Sequence, residues 1–214
     1  MDAPVLYIIA GPNGIGKTTV NPFFIPKGVP YINADDIARQ FRERHGGNMN
    51  VQELANAEAI ERLNQFIAKR QNVAIESNLA DNETWQFLLG IQGLGYAIHL
   101  NFFGTSEVDI CIDRVFNRVL QGGHFVRPDI VKARYEVGLL LLRQYLSIPD
   151  VLILTDNTTS SVNIAELKFG EIVFQTAPLP PWVQFVFATD SKSNAPLSTI
   201  DEVREKYRQM KKKD

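Results

Sequence analysis

At 214 residues, with 45% hydrophobic and 21% charged side chains, the chain is long enough to bury a sizeable core and has the composition of a globular protein, which excludes a disordered one. A net charge of -2 and a pI near 6.0 remove any overall attraction to nucleic acid or to an anionic membrane surface, so an anion site has to be local.

The first element in chain order is the apolar run Val5-Leu6-Tyr7-Ile8-Ile9-Ala10, which reads as a buried strand. It leads directly into Gly11-Pro12-Asn13-Gly14-Ile15-Gly16-Lys17-Thr18, which matches G-x-x-x-x-G-K-[ST] at every fixed position. The glycines let backbone N–H groups curl around an anion, and the helix that Lys17, Thr18 and Thr19 open presents its positive end. Lys17 adds a mobile cation, and the Thr18 hydroxyl is of the type that ligates Mg2+. The pattern predicts a nucleoside triphosphate site. The dinucleotide fingerprint G-x-G-x-x-G fails, because Gly11, Gly14 and Gly16 run in the opposite spacing. Pro22 and Pro26 predict that the helix after the cradle is short or kinked.

Strand-like runs follow at about 29–33, 72–76, 96–103 and 151–155, and helix-like patterns at about 35–44, 51–70, 82–90, 106–121 and 128–147. The alternation predicts an α/β fold, an open parallel sheet flanked by helices. Ser106 with Asp109 reads as a capping box, Gly122-Gly123 as a helix stop, and Pro128 as a first-turn residue. Cys111 is the one cysteine, so no intramolecular disulfide or cysteine-built zinc site is possible; it reads as a small buried apolar residue in a reducing compartment. Past residue 157 the pattern changes. Residues 170–176 and 182–188 read as a small antiparallel hairpin around Pro178, Pro180 and Pro181, residues 189–197 as linker, and residues 198–213 as a charged helix. The expected organisation is one nucleotide-binding domain over 1–190, with a helical lid at about 106–147, and a linker with the charged helix over 191–214. Lys211-Lys212-Lys213 reads as a solvated helix end, since no aromatic or basic stripe accompanies it, so no nucleic-acid partner is expected. No apolar run has the length of a membrane span and no signal-like segment is seen, which makes a cytoplasmic protein without a membrane partner the expectation.

Open parallel sheets bind ligands at the carboxyl ends of their strands. Those ends carry Asn33-Ala34-Asp35-Asp36, Glu76-Ser77-Asn78 and Asp156-Asn157, so carboxylates ring the cradle. Asp35 suits the removal of a proton from an acceptor hydroxyl or the placing of Mg2+, against the plainer role of helix cap for Asp35 or Asp36. Glu76 ends an otherwise apolar strand, where an acid is poor core filler and a substrate hydroxyl contact is the expectation. Arg114, Arg118, Arg127, Lys132, Arg134 and Arg143 lie in 112–145 around Gly122-Gly123-His124. Transfer of a phosphoryl group calls for planar cations on its equatorial oxygens, and a hinged arginine-bearing segment suits a lid. Arg118 and Arg134 are the first candidates, with Arg127 next and the others as solvated helix charges. Asp156 lacks the following Glu of a motor or transporter ATPase, and the Leu-Ser-Gly-Gly-Gln segment is absent; Asp156-Asn157 reads as lying near the base or capping a loop.

The ordered set of cradle, Asn33-Ala34-Asp35, Glu76-Ser77-Asn78-Leu79, Gly122-Gly123-His124 with Val126 and Pro128, Arg134-Tyr135 and Asp156-Asn157 resembles the zeta-toxin-like P-loop kinases, including the bacterial branch labelled predicted ABC-type ATPase. The resemblance covers about residues 4–160. It implies a kinase that moves the γ-phosphate of ATP, with Mg2+, to a sugar hydroxyl, UDP-N-acetylglucosamine being the substrate of the best-known members, and an antitoxin protein as partner. On that resemblance Asp35 is the acid that deprotonates the acceptor, Glu76 a substrate-binding acid with Ser77, Asn78 and Asn33 around it, and Lys17 and Thr18 the phosphate and Mg2+ ligands. The family's two lid arginines fall among Arg114, Arg118, Arg127 and Arg134, with Arg118 and Arg134 the first candidates, and Arg127 and Asn157 are expected at the nucleotide. Where the branch shows Glu-Thr-Thr-Leu this chain has Glu76-Ser77-Asn78-Leu79, which points to a different acceptor. The alternatives are an ATPase, or a catalytically idle nucleotide-binding module acting through protein partners; an intact Lys17, Thr18 and Asp35 argue against the latter.

Overall fold

The computed structural model describes residues 3–20, 23–45, 50–120, 123 and 125–188. The apolar runs become five parallel strands, β1 (Val5–Ala10), β2 (Tyr31–Ile32), β3 (Val73–Ser77), β4 (Ala97–Gly104) and β5 (Val151–Asp156). Antiparallel β6 (Val162–Lys168) and β7 (Glu171–Gln175) extend the sheet, giving the order β2-β3-β1-β4-β5-β6-β7. The described helices are α1 (Lys17–Val20), α2 (Ala34–His45), α3 (Val51–Ala68), α4 (Asn82–Gly93), α5 (Val108–Leu120), α6 (Pro128–Gln144) and α7 (Pro181–Phe187). None of them is long and apolar enough to cross a membrane. The fold is α/β, as the alternation of patterns predicts.

Side chains alternate across the sheet with period two, which divides the core in two. Leu6, Ile8, Ile98, Leu100, Leu152 and Leu154 enter the larger cluster with Trp85 and Leu88 of α4, Val137 and Leu142 of α6, and Trp182 of α7. On the other face Ile9 and Phe103 pack with Ile15 of the cradle, Cys111 and Val115 of α5, and Ile130 of α6. Each fully buried side chain of this kind contributes about 1.5–3 kcal/mol, so the cradle is held in place by the core itself. The chain leaves β1 toward β2 and β3 on one side and then crosses to β4 and β5 on the other. The crevice so formed at the carboxyl end of β1 is where the cradle lies.

Two local expectations are corrected. Residues 182–188 are not the second strand of a hairpin: Pro181 occupies the first turn of α7, and Trp182, Val183 and Val186 bury one helical face. The hairpin is β6-β7, turned at Phe169 (φ 52) and Gly170 (φ 82), the positive pair that a two-residue hairpin loop requires. At the entry to α5 the hydroxyl that acts is that of Thr105, which accepts from the Glu107 N–H at 3.1 Å, and the helix begins at Val108, two residues after the expected Ser106 cap. Gly123 closes α5 through its N–H to the Arg118 carbonyl at 2.9 Å. The short first helix agrees with expectation, since α1 spans four residues. Pro22, Gly122, His124, the linker over 189–197, the charged helix over 198–213 and Lys211-Lys212-Lys213 lie outside the described residues.

Candidate active site

Gly11, Gly14 and Gly16 all have positive φ (138°, 81° and 99°), which opens the backbone of the cradle as phosphate binding requires. The close packing beneath it also needs glycine. A Cβ on Gly11 would stand 2.3 Å from the Phe103 carbonyl oxygen, and one on Gly14 2.1 Å from that of Cys111. Lys17 folds back into the loop and is buried. Its Nζ donates to the Gly11 carbonyl at 2.7 Å, the Pro12 carbonyl at 3.2 Å and Asn78 Oδ1 at 3.0 Å. Burial lowers the Lys17 pKa, while Glu76 and Asp35 pull it back up.

Glu76 is the hub of the acidic side. Its Oε2 accepts from Tyr31 Oη at 2.6 Å, Asn33 Nδ2 at 3.0 Å and Thr18 Oγ1 at 3.1 Å, and its Oε1 stands 3.9 Å from Lys17 Nζ. The end of β3 thereby orients the hydroxyl of the cradle threonine. Asn33 caps α2, its Oδ1 accepting from the Asp35 N–H at 2.8 Å. That leaves the Asp35 carboxylate without a hydrogen bond among the described residues, whereas Asp36 pairs with Arg39 at 3.0 Å on the surface. Ser77 accepts from the Leu79 N–H at 3.1 Å and so shapes a turn in which Leu79 has φ 48°.

On the opposite wall α5 and α6 carry the arginines. Arg134 Nη1 donates to Asn13 Oδ1 in the cradle at 2.8 Å. The adjacent Tyr135 anchors α6, its hydroxyl donating to the Thr105 carbonyl at 2.7 Å and its pKa pushed up to about 12 by burial. Arg114 is committed to carbonyls, reaching Asn157 O at 2.8 Å, Thr158 O at 2.7 Å and Ile15 O at 3.4 Å. Asn157 Nδ2 donates to the same Ile15 carbonyl at 2.6 Å, so the end of β5 is tied to the cradle twice. Together these parts enclose a cavity of about 820 Å³ reached by Lys17, Thr18, Thr19, Asp35, Arg118 and Arg134 among others. That is room for a nucleotide with a small acceptor beside it.

No protein-family model matches the chain. An uncharacterized protein of Haemophilus influenzae strain Rd is 33% identical over 125 residues, which cover 58% of this chain and 88% of that protein. The chain belongs to the family of this Haemophilus protein. Among solved structures it is similar to the PezAT chromosomal toxin-antitoxin system of Streptococcus pneumoniae (TM-score 0.58, 15% identity, 98% of this chain and 88% of that one). It is also similar to AvrRxo1-ORF1:-ORF2 with ATP, at a TM-score of 0.61 and 14% identity over 80% of this chain and 60% of that one. The Pnkp1/Rnl/Hen1 RNA repair complex matches with a TM-score of 0.54 and 18% identity over 67% of this chain and 47% of that one. At these identities the likeness is one of fold, a mainly parallel sheet flanked by helices.

Most residues singled out from the sequence of this family member meet at the one cavity: Asn13, Gly14, Gly16, Lys17, Thr18, Thr19, Asn33, Asp35, Glu76, Ser77, Asn78, Arg118, Arg134 and Asn157. Gly11, Pro12 and Ile15 lie in the cradle beneath it. Arg127 does not join them; it forks onto Asp129 at 2.5 and 3.1 Å at the exposed start of α6. Asp156 also turns away, accepting from the Thr158 N–H at 3.0 Å and Trp182 Nε1 at 2.8 Å, in keeping with a loop cap. Sequence reasoning missed Tyr31, Gln52, Asn56 and Asp81. Tyr31 begins a two-residue strand with no periodicity to mark it, and the other three are ordinary polar residues until the fold turns them to the cavity.

Proposed function

We propose that the protein is an ATP-dependent kinase that transfers the γ-phosphoryl group to a hydroxyl of a small molecule. The observation that carries the reading is the Asp35 carboxylate, relieved of helix capping by Asn33 and facing the same cavity as Lys17. The glycine-opened backbone receives the phosphates, and Lys17 exchanges its carbonyl partners for phosphate oxygens. Arg118 and Arg134 are assigned to the equatorial oxygens of the moving group, which the planar guanidinium suits. Asp35 accepts the proton of the acceptor hydroxyl; its oxygen bonds to the γ-phosphorus, and the bond to the β–γ bridging oxygen breaks so that ADP leaves with the electron pair.

Mg2+ belongs to the same proposal. The Thr18 hydroxyl and the Glu76 carboxylate, 3.1 Å apart, are hard oxygen donors of the kind the ion takes, and Thr18 with Glu76 behind it would hold it beside the cradle. When bound, the ion supplies charge neutralisation on the β- and γ-phosphate oxygens. A nucleotide-sugar acceptor and an antitoxin partner are what the family resemblance implies; of these the antitoxin partner is part of the proposal. The ATP complex of AvrRxo1 supports ATP as the donor, and the paired toxin and antitoxin of the PezAT system, which shares the fold, support a protein partner.

The test is transfer of labelled γ-phosphate from MgATP into a cell metabolite extract by the purified protein. Transfer is expected with the wild type and is lost in Lys17→Ala, which still folds. MgATP should also raise the melting temperature of the wild type by mass action. Equal labelling by Lys17→Ala would refute the assignment of the cradle.

A further inference from the structure

The cavity is divided by charge along the strand order. Its cations, Lys17, Arg114, Arg118 and Arg134, stand on the cradle and on the α5 and α6 wall, over β1, β4 and β5. The other end lies over β2 and β3, where the lining includes the amides and carboxylates of Asn33, Asp35, Gln52, Asn56, Glu76 and Asp81, with the Ser77 hydroxyl and small apolar side chains beside them. Among the described residues the segments that build this end bring no lysine or arginine of their own to the cavity lining; the arginines of α2, Arg39, Arg42 and Arg44, do not reach it. The sequence has no lysine or arginine between Arg44 and Arg62, nor between Arg70 and Arg114. Arg39, on the nearby helix α2, is 64% exposed and pairs with Asp36.

Phosphate is held in proteins by guanidinium and ammonium groups or by clustered backbone N–H donors, and among the described residues the cradle's own Lys17 is the cation that comes near the acceptor end. That end offers side-chain amides and three carboxylates. Gln52 Nε2 donates to Asn56 Oδ1 at 3.2 Å across one turn of α3, which presents both side chains as a paired amide surface. Hydroxyls satisfy such a surface, because each both donates and accepts. A phosphate or pyrophosphate there would meet Asp35 and Asp81, which form no ion pair among the described residues, while the nearby Lys17 is held by the cradle carbonyls and stands 3.9 Å from Glu76 Oε1.

We infer that the acceptor is a polyhydroxy compound that carries no phosphate, a sugar, amino sugar or polyol, held between Asp35 and the Gln52 and Asn56 amides. This rests on the kinase reading and narrows it, setting the acceptor apart from the nucleotide sugar of the resemblance. The departure Glu76-Ser77-Asn78-Leu79 from the usual Glu-Thr-Thr-Leu lies on the same wall.

The experiment incubates the protein, MgATP bearing an 18O-labelled γ-phosphate, and a metabolite extract, with Lys17→Ala as control, and reads labelled products by high-resolution mass spectrometry. The expected product contains one phosphorus atom, the one transferred. A labelled product with two or more phosphorus atoms overturns the inference and leaves the kinase reading standing. No protein-dependent labelled product overturns both. With the product identified, Gln52→Ala should raise the KM for the acceptor about tenfold and leave that for ATP within twofold. A rise in the KM for ATP alone would remove Gln52 from the acceptor end and overturn the division of the cavity.

Discussion

Removal of the Glu76 side chain should separate a structural role of the acidic hub from a catalytic one. In Glu76→Ala, Tyr31 Oη and Asn33 Nδ2 lose an acceptor in a partly buried place, and Thr18 Oγ1 loses one in an exposed place where water substitutes. Hydrogen bonds to a charged group are worth about 1.5–3 kcal/mol, and solvent reaches this site in part, so the two sheltered bonds together predict a loss of about 2–4 kcal/mol. A domain of typical stability, about 5–15 kcal/mol, survives that. Glu76→Gln keeps one oxygen to accept and should lose about half as much. Glu76 also raises the Lys17 pKa against the lowering by burial, so both variants let Lys17 shed its proton at lower pH than the wild type does. Urea unfolding gives the stabilities, and MgATP titration across pH gives the second effect: binding should weaken on the alkaline side sooner in both variants. If Glu76→Ala unfolds within 0.5 kcal/mol of the wild type, taken as about the size of an ordinary surface substitution, the hub does not hold the end of β3 to the cradle and the reasoning fails.

Asp35→Asn should lower turnover on the order of a hundredfold or more with nucleotide affinity little changed, while Asp36→Asn, which breaks only a surface pair, stays near wild type; steady-state kinetics with nucleotide titration tells them apart. Arg134→Lys and Arg118→Lys should slow the chemical step more than they weaken ATP binding, read by pre-steady-state kinetics, and unchanged rates in both would remove them from the mechanism. Gly14→Ala forces a side chain into φ 81° and a Cβ to 2.1 Å from the Cys111 carbonyl, so about 3 kcal/mol or more of stability should be lost in urea unfolding. The Cys111 thiol is fully buried with its pKa pushed up from 9.0 to about 11, so a thiol reagent at pH 8 should leave the native protein unmodified and label one thiol once it is unfolded. Because the folded state resists thiolate formation, stability should fall as pH rises from about 9 to about 11, and fall less in Cys111→Ala.

The sequence by itself determined the glycine cradle and the parallel part of the sheet, because both are written locally. The glycine spacing has one backbone solution, and the run Val5–Ala10 matches β1 residue for residue, since a strand covered on both faces is apolar throughout. The strand ends were legible too, so Asp35 and Glu76 could be placed beside the cradle before any coordinates. The hairpin was misread because a short stretch such as Trp182–Phe187 satisfies period two and helical spacing alike, and it is the packing of Trp182, at 6.3 Å between ring centroids, on Phe102 that decides for a helix. Tertiary structure alone decided which charges work together. Arg127 and Arg134 lie seven residues apart in one basic stretch, yet one forks onto its neighbour Asp129 and the other crosses 121 positions to Asn13. Asn33 takes the capping role that frees Asp35, and Tyr31 and Thr18 converge on Glu76, through contacts that no spacing in the chain encodes. Burial and charge pairing depend on distance in space, and only the fold sets that distance.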